Sequence, residues 1–265
     1  MDDLARLIEA VQASAKYRAI VPSLIEAVGR DELAKGRRFK DAVKATKNKL
    51  HQVAGAYFPD RPPYDRWLAD LAAAAPDPVQ QRSVLRAIMA QHASTRERLP
   101  ILDDFYATAL AGLPPLHSVL DLACGLNPLA WSWLPLAPDA VYYACDIYQD
   151  QMDFLAAALT QCGVRNQCRV CNVLEDLPRV RADVALLLKT LPCLEQLDKQ
   201  IGPRLLDAID APVVLVSYPV HSLGGRSKGM AANYAEQFAA LAADRPWRVQ
   251  RFDFPTELLF RIERD

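Results

Sequence analysis

Residues 118–128 have the sequence SVLDLACGLNP, in which an apolar run reaches Asp121 and small residues then lead to Gly125. This pattern predicts a buried strand, a tight turn and a helix, so that a nucleotide-like ligand can approach the backbone at the carboxyl end of the strand. Asn127 stands where a dinucleotide-binding turn has its second glycine. Because a pyrophosphate cofactor needs the complete glycine set, the turn argues against NAD and favours a ligand without phosphates, such as S-adenosylmethionine.

Two polar residues at later strand ends fit the same kind of ligand. Asp146 lies 21 residues after Gly125 and follows the apolar run Val141–Cys145. An acid at this place can accept hydrogen bonds from both ribose hydroxyls. It can also cap the next helix, but together with the first turn the ribose role is favoured. Asn172 lies at the end of the third run, where its amide can pair with an adenine edge.

The sequence around this turn predicts an α/β fold class. From Leu116 onward, short apolar runs alternate with helical segments, which is typical of a doubly wound sheet whose first strands are parallel. Only residues 255–257 separate the last two runs, which therefore predict an antiparallel hairpin at the end of the sheet. The predicted strands are residues 118–123, 140–145, 168–173, 183–188, 212–217, 248–254 and 258–262.

Residues 1–112 lack strand-like alternation and predict helices. Apolar residues recur there at helical spacing, as in Leu4, Leu7, Ile8 and Val11. We therefore expect a helical domain at residues 1–95 and an α/β domain at residues 96–265. Hydrophobic residues make up 51% of the chain and charged residues 24%, which excludes a disordered or fibrous protein.

The charge is divided unevenly along the chain. The net charge is −1, but residues 1–100 carry 17 Lys and Arg against 12 Asp and Glu, whereas residues 101–265 carry 14 against 20. A basic front half is expected when one part of a protein binds a polyanion, although scattered surface charge is the alternative. A run of cations, opposed within it only by Asp41, favours nucleic acid over a solvated helix face. It consists of Lys35, Arg37, Arg38, Lys40, Lys44, Lys47 and Lys49.

Residues 217–230, SYPVHSLGGRSKGM, follow the fifth predicted strand and combine three glycines with Arg226, Lys228 and Tyr218. We interpret this segment as a loop over a binding site, in which the cations hold phosphates and an aromatic side chain stacks on a base. Tyr218 and Tyr234 are the candidates for that stack, and a structural role is the alternative for both.

The cysteines and the hydropathy indicate the compartment. The cysteines form one isolated C-x-x-C and mostly adjoin apolar runs, so we expect free core thiols in a reducing cytoplasm and no metal site. No segment approaches the roughly 18 to 20 apolar residues that span a bilayer, and we expect neither a signal peptide nor a membrane partner. The six cysteines are Cys124, Cys145, Cys162, Cys168, Cys171 and Cys193.

At these residues the chain resembles the aminoglycoside-resistance 16S ribosomal RNA methyltransferases, which methylate N7 of guanine 1405 in the decoding site of the 30S subunit. The resemblance runs in order from near residue 15 to the end, and its most specific motifs are CGLNP and SLGGRxKGM. The matching segments are residues 15–18, 49–51, 55–57, 92–99, 120–128, 145–147, 189–192, 222–230 and 233–234.

The resemblance implies a class I (Rossmann-like) S-adenosylmethionine-dependent methyltransferase with a seven-stranded sheet. It also implies an N-terminal all-helical domain that docks on ribosomal RNA, and we expect a monomer that acts on the 30S subunit. Many relatives have Asp where this chain has Asn172. The implied cofactor-binding residues are Tyr17, His51, Arg98, Ala123, Gly125, Asp146, Ile147, Asn172, Val173, Leu188 and Gln196, with His51 and Arg98 at the methionine carboxylate. The implied RNA-binding residues are Lys35, Arg37, Arg38, Lys40, Lys44, Lys47, Lys189, Tyr218, Arg226, Lys228 and Met230.

The chemistry of the implied nucleophile needs no catalytic acid or base. Guanine N7 has an in-plane lone pair and no proton to lose, so positioning is what the protein has to supply. We keep three alternatives: a methyltransferase of a small metabolite, a ribosome-binding protein without turnover, and the sister family that methylates N1 of a nearby adenine.

Overall fold

The computed structural model describes residues 2–58, 61–221 and 229–264. Its N-terminal part is helical, as predicted, and its one extended contact is an isolated bridge between Ile20 and Tyr148. The helices are α1 (Asp3–Gln12), α2 (Pro22–Ala34), α3 (Phe39–Leu50), α4 (Tyr64–Ala74), α5 (Pro78–Met89), α6 (Ala93–Arg98) and α7 (Leu102–Ala109), with a π-helical turn at His51–Gly55 and a 3₁₀ turn at Leu99–Ile101.

Local sequence explains how these helices begin and pack. The side chain of Asp77 accepts hydrogen bonds from the backbone N–H groups of Val79 and Gln80, which caps α5, and Pro78 occupies the first turn. Helices α1–α3 bury one shared apolar cluster that includes Leu7, Val11 and other residues at helical spacing. The same cluster contacts Ile147 and Tyr148 of the α/β part, which fixes the bundle beside the sheet.

The sheet has seven strands in the order β3-β2-β1-β4-β5-β7-β6. Strands β1 to β5 are parallel, and β7 pairs antiparallel with both β5 and β6. The predicted α/β class, parallel core and terminal hairpin are therefore confirmed. The strands are β1 (Leu116–Leu122), β2 (Leu136–Asp146), β3 (Arg165–Val170), β4 (Val184–Leu188), β5 (Val213–Pro219), β6 (Arg248–Asp253) and β7 (Glu257–Glu263).

Helices cover both faces of the sheet. Helix α8 (Gln149–Gln161) packs with α4, α5 and α7 on one face, while α10 (Ile201–Ala208) and α11 (Met230–Ala242) pack on the other. A short helix, α9 (Leu191–Leu194), follows β4. The crossover from β3 to β4, residues 171–183, contains no helix. Within the described ranges, we find no helix with the length and apolar character that a bilayer crossing requires.

Candidate functional site

A cavity of about 900 Å³, partly open to solvent, lies at the carboxyl ends of β1 to β4. The turns after these strands form its floor, and the π-helical turn and α6 contribute the opposite wall. In open sheets of parallel strands, ligands bind at this edge, outside the carboxyl ends of the strands. The predicted residues that line it are Arg98, Ala123, Gly125, Asp146, Ile147, Asn172, Val173, Leu188 and Lys189.

The turn after β1 holds an unusual backbone conformation. Ala123 and Gly125 have φ angles of 50° and 53°, in the left-handed region. A Cβ built on Gly125 would lie 2.6 Å from Cε1 of His92, which is buried. A side chain at position 125 is therefore excluded by both strain and contact.

The side chain of Asp146, at the end of β2, is hydrogen-bonded to the turn that follows β1. Its Oδ2 accepts a hydrogen bond from the Gly125 N–H at 2.8 Å, and its Oδ1 accepts one from the Ile147 N–H at 2.7 Å. Burial raises the pKa of Asp146 above its ordinary value, and these backbone donors oppose the shift. Each carboxylate oxygen keeps acceptor capacity for a ligand hydroxyl.

Asn172 has an unpaired donor at the end of β3. The residue is buried, its Oδ1 accepts from the Leu174 N–H at 3.3 Å, and its Nδ2 has no hydrogen-bond partner among the described residues. Buried polar atoms are normally paired, so the free amide fits a ligand acceptor in the cavity. The apolar side chains of Ile147, Val173 and Leu188 surround this end.

At the other end of the cavity, Arg98 is 2% exposed and belongs to a buried polar network. Its guanidinium donates to both carboxylate oxygens of Glu257, at 2.7 Å from Nη2 and 3.1 Å from Nε, and to Oδ1 of Asn127 at 2.8 Å. Asn127 in turn donates to Asp121 at 2.7 Å. Burial alone would raise the pKa of Glu257, but the charges of Arg98 and Lys189 hold it below its ordinary value. One N–H on each of the two terminal nitrogens of Arg98 remains for a ligand carboxylate.

Lys189 follows β4 with a φ of 59°, which is rare for a side chain with a Cβ. Its Nζ donates to Glu97 at 2.7 Å and to the carbonyl of Ser94 at 3.3 Å, and lies 3.4 Å from Glu257. The buried ammonium thus lies at the cavity wall and is held by acids from α6 and β7.

Sequence reasoning missed several residues of this site. His92 lies between Tyr57, whose ring is stacked 5.3 Å away, and Phe58, whose ring is edge-on at 4.9 Å. Burial and the charges of Arg98 and Lys189 lower the pKa of His92 to about 3, so the ring is neutral at pH 7. Tyr57 also contacts Sγ of Cys193 at 2.7 Å through its hydroxyl. His92 lies in the quoted segment 92–99, but no local pattern distinguishes its role.

Three predicted cofactor residues lie away from the cavity lining. His51 is exposed on the π-helical turn, and the structure does not pair it with Arg98. Tyr17 is buried in the α1–α3 cluster, and Gln196 is exposed while its neighbour Leu197 lines the cavity.

In the structure the basic run has an acidic partner from outside the run, Glu32, in addition to Asp41. Glu32 of α2 pairs with both Lys35 at 2.6 Å and Arg37 at 2.8 Å, because the turn between α2 and α3 folds back. Arg38 pairs with Asp41 at 2.8 Å. Lys47 donates to the hydroxyl of Ser14 at 2.7 Å. Lys40 and Lys44 are exposed and have no acidic partner in the described chain.

The predicted residues of this loop and of the stack that the structure describes are buried or half-buried. Tyr218 is 2% exposed, and its ring packs on Tyr234 at 4.8 Å and near Phe238 at 6.3 Å. Tyr234 is half-buried, and Met230 begins α11. Arg226 and Lys228 lie outside the described residues.

The six cysteines are free. Three or more His, Cys, Asp or Glu residues suited to a metal ion do not come together in the part of the chain that the structure describes.

Comparisons with known proteins agree over nearly the whole chain. The model of the family described as "Ribosomal RNA methyltransferase (FmrO)" matches residues 13–262. A 16S rRNA (guanine(1405)-N(7))-methyltransferase of Micromonospora echinospora is 40% identical over 99% of this chain and 97% of its own length. The protein of the same name from Frankia casuarinae is 40% identical over 98% of this chain and 93% of its own length.

Two solved structures have the same fold. The 16S rRNA methyltransferase RmtF, in complex with S-adenosyl-L-homocysteine, superposes with a TM-score of 0.87 at 31% identity, and all of both chains is covered. The 16S rRNA methylase RmtB superposes with a TM-score of 0.81 at 28% identity and covers 99% of this chain and 98% of its own.

Proposed function

The chain belongs to the ribosomal RNA methyltransferase (FmrO) family, and from that premise we propose that it transfers a methyl group from S-adenosylmethionine to N7 of guanine 1405 in 16S ribosomal RNA. The observation that carries this proposal is the cavity at the strand ends, because Asp146, Asn172 and Arg98 all line it. The substrate is the 30S subunit, the compartment is the cytoplasm, the enzyme acts as a monomer, and the expected phenotype is aminoglycoside resistance.

The residues around the cavity suit the parts of S-adenosylmethionine. The free Nδ2 of Asn172 is a donor for an adenine ring nitrogen, and the carboxylate of Asp146 accepts from ribose hydroxyls. Arg98 has N–H groups left for the methionine carboxylate. Gly125 lines the cavity, and a side chain there would collide with His92. His51, Tyr17 and Gln196 stay predictions without a contact to the cavity.

The protein's contribution to the reaction is orientation. Bound S-adenosylmethionine supplies a methyl group that its sulfonium already activates. The N7 lone pair needs no base, and the titratable groups that line the cavity with Arg98 include a neutral His92 and a Lys189 held by Glu97. Holding donor and acceptor in line is worth about 7 to 11 kcal/mol of the barrier. Apolar side chains around the cavity exclude water from the reacting atoms.

We assign substrate docking to the helical residues 1–95 and turnover to residues 96–265. The exposed ammonium groups of Lys40 and Lys44 on α3 suit a phosphate backbone. The target base must leave its helix to reach the methyl group, which costs a few kcal/mol. The half-buried ring of Tyr234, backed by Tyr218, is the candidate surface for stacking on the flipped base.

The test uses 30S subunits from an unmethylated strain, the purified protein and tritiated S-adenosylmethionine. Borohydride and aniline cleavage followed by reverse transcription locates any N7-methylguanine. We expect a single stop at the decoding-site guanine and no label with Asp146→Ala. Label elsewhere in the RNA would overturn the target, and no label with cofactor bound would favour a small-metabolite substrate. Efficient methylation of a short isolated hairpin would contradict the requirement for the folded subunit.

A further inference from the structure

A second groove lies on the flank of the sheet, outside the cofactor cavity. It has a volume of about 680 Å³, and its floor is formed by Leu120 and Tyr143. Arg169 of β3 lines one side, and residues 176–180, which include Asp176, line the other. The groove exists because the crossover from β3 to β4 contains no helix, so this part of the sheet face is covered only by a loop.

The rim of this groove is positively charged within the acidic half of the chain. Residues 165–181 contain four arginines against two acids, Glu175 and Asp176. The side chain of Arg169 is half-exposed, and its Nη2 lies 3.6 Å from Oδ2 of Asp176. The side chain of Asp176 is 75% exposed, so this ion pair is loose. The four arginines, all exposed, are Arg165, Arg169, Arg179 and Arg181.

Asp183 does not neutralise this cluster. Its carboxylate accepts hydrogen bonds from the backbone N–H groups of His117 at 2.6 Å and Ser118 at 2.9 Å, at the opposite end of the sheet from the cavity. Arg179 and Arg181 have no ion pair with any residue that the structure describes. Planar guanidinium groups without acidic partners are suited to phosphate oxygens.

The loop that lines this groove also contacts the helical bundle. Leu174, at the start of the covering loop, packs both on the α1–α3 cluster and on the sheet-side cluster. Its carbonyl accepts a hydrogen bond from Arg204 at 3.0 Å. The loop therefore adjoins the α1–α3 cluster as well as the sheet.

We propose that the groove lined by Arg169 and Arg179 is a second contact for the ribosomal RNA backbone, made by the α/β part of the chain. This inference rests on the proposed function and deepens it. RNA is the partner that fits, because the positive charge of the arginines is complementary to phosphate. The groove is also lined by one aromatic ring, Tyr143, on which a base can stack. The enzyme then holds its substrate with both the helical bundle and the α/β part.

The experiment compares Arg169→Glu/Arg179→Glu with Arg248→Glu/Arg251→Glu in the full-length protein. The control arginines lie on β6, at the opposite edge of the sheet. Arg248 contacts Glu263, and Arg251 contacts Asp253. Affinity for 30S subunits is measured at several salt concentrations. Arg179→Glu alone is run in parallel because Arg169 lies three residues from Asn172, and calorimetry with S-adenosylmethionine checks that the cavity is intact.

We expect the groove variant to bind 30S subunits about tenfold more weakly than the control variant, with a salt slope reduced by about 1 for each lost phosphate contact. Arg169→Lys/Arg179→Lys should retain most of the affinity. Equal losses in the groove and control variants would overturn the proposal, and so would lost affinity with an unchanged salt slope, which would indicate a ribosomal protein. Methylation by the wild-type protein is scored separately, so failure of the proposed function is visible on its own.

Discussion

Glu257 of β7 and Arg98 of α6 form a buried, two-pronged ion pair, with Nη2 to Oε1 at 2.7 Å and Nε to Oε2 at 3.1 Å. The two residues are 159 positions apart, and neither is more than 2% exposed. The pair joins the terminal hairpin to the helical part directly behind the cofactor cavity. Lys189 approaches the same carboxylate, and Ser217 donates to it at 2.5 Å.

Removing the charge of Glu257 should therefore destabilise the fold. In Glu257→Gln the Arg98 guanidinium stays buried without an opposite charge, which typically costs about 3 to 5 kcal/mol. Denaturant unfolding measures the loss. Asp253→Asn is the matched control, because its partner Arg251 is half-exposed and such pairs contribute at most about 1 kcal/mol. Equal losses in the two variants would contradict a special role for the buried pair.

Gly125 should tolerate no side chain. Gly125→Ala and Gly112→Ala both place a Cβ at positive φ, 53° and 79°, and each should cost about 1 kcal/mol or more in stability. Only at position 125 would the Cβ meet another group, His92 at 2.6 Å, whereas nothing lies within 4 Å at position 112. We expect calorimetry to show that Gly125→Ala loses S-adenosylmethionine affinity while Gly112→Ala keeps it. Unchanged affinity in both variants would show that His92 can move away.

The strands were predictable because largely apolar runs of five to seven residues stand between turn residues. The third strand ends earlier than predicted, at Val170, because residues 171–173 leave the sheet and line the cavity. The second begins earlier, at Leu136, because that residue pairs with Leu116 before an irregularity in the register. The local sequence indicates neither the end of β3 nor the start of β2. Pro138 and Asp139, which lie inside β2, are residues typical of turns and predict a later start for that strand.

The site was predictable only where local sequence places a side chain at a strand end. Gly125, Asp146 and Asn172 follow adjacent parallel strands, so spacing alone brings them together. Glu257 reaches Arg98, and His92 reaches the cavity, through packing between distant elements, which no periodicity encodes. The partners of the basic run were missed for the same reason, because Glu32 lies on the preceding helix.

The affinity for S-adenosylmethionine should fall at acid pH through Asp146. Burial raises the pKa of this carboxyl, so it protonates at a higher pH than an ordinary aspartate and then loses acceptor capacity for the ribose hydroxyls. Affinity should be constant near neutral pH and decrease as the pH falls toward that pKa.

Asp146→Asn should bind about 10- to 100-fold more weakly at pH 7, because hydrogen bonds to a charged group contribute about 1.5 to 3 kcal/mol. It should also lose this pH dependence, and calorimetry between pH 5 and pH 8 tests both points. A parallel pH profile in the variant would assign the effect to another group.

Lys40 and Lys44 are the exposed lysines of α3 and have no acidic partner among the described residues, so they should contribute more to RNA binding than the two cations that share Glu32. In Lys40→Gln/Lys44→Gln both lost charges are exposed and unpaired, so the salt slope of 30S binding should fall by about 1.4 to 1.8. Lys35→Gln/Arg37→Gln removes the same number of charges, but both are held by Glu32, whose pKa they lower by hydrogen bonding and charge. Glu32 already offsets part of the field that these two cations present to phosphates, so their loss should change the slope less. Filter binding of 30S subunits across a salt series separates the two cases. An equal change in both variants would mean that the field of the whole bundle, rather than contacts made by Lys40 and Lys44, holds the RNA.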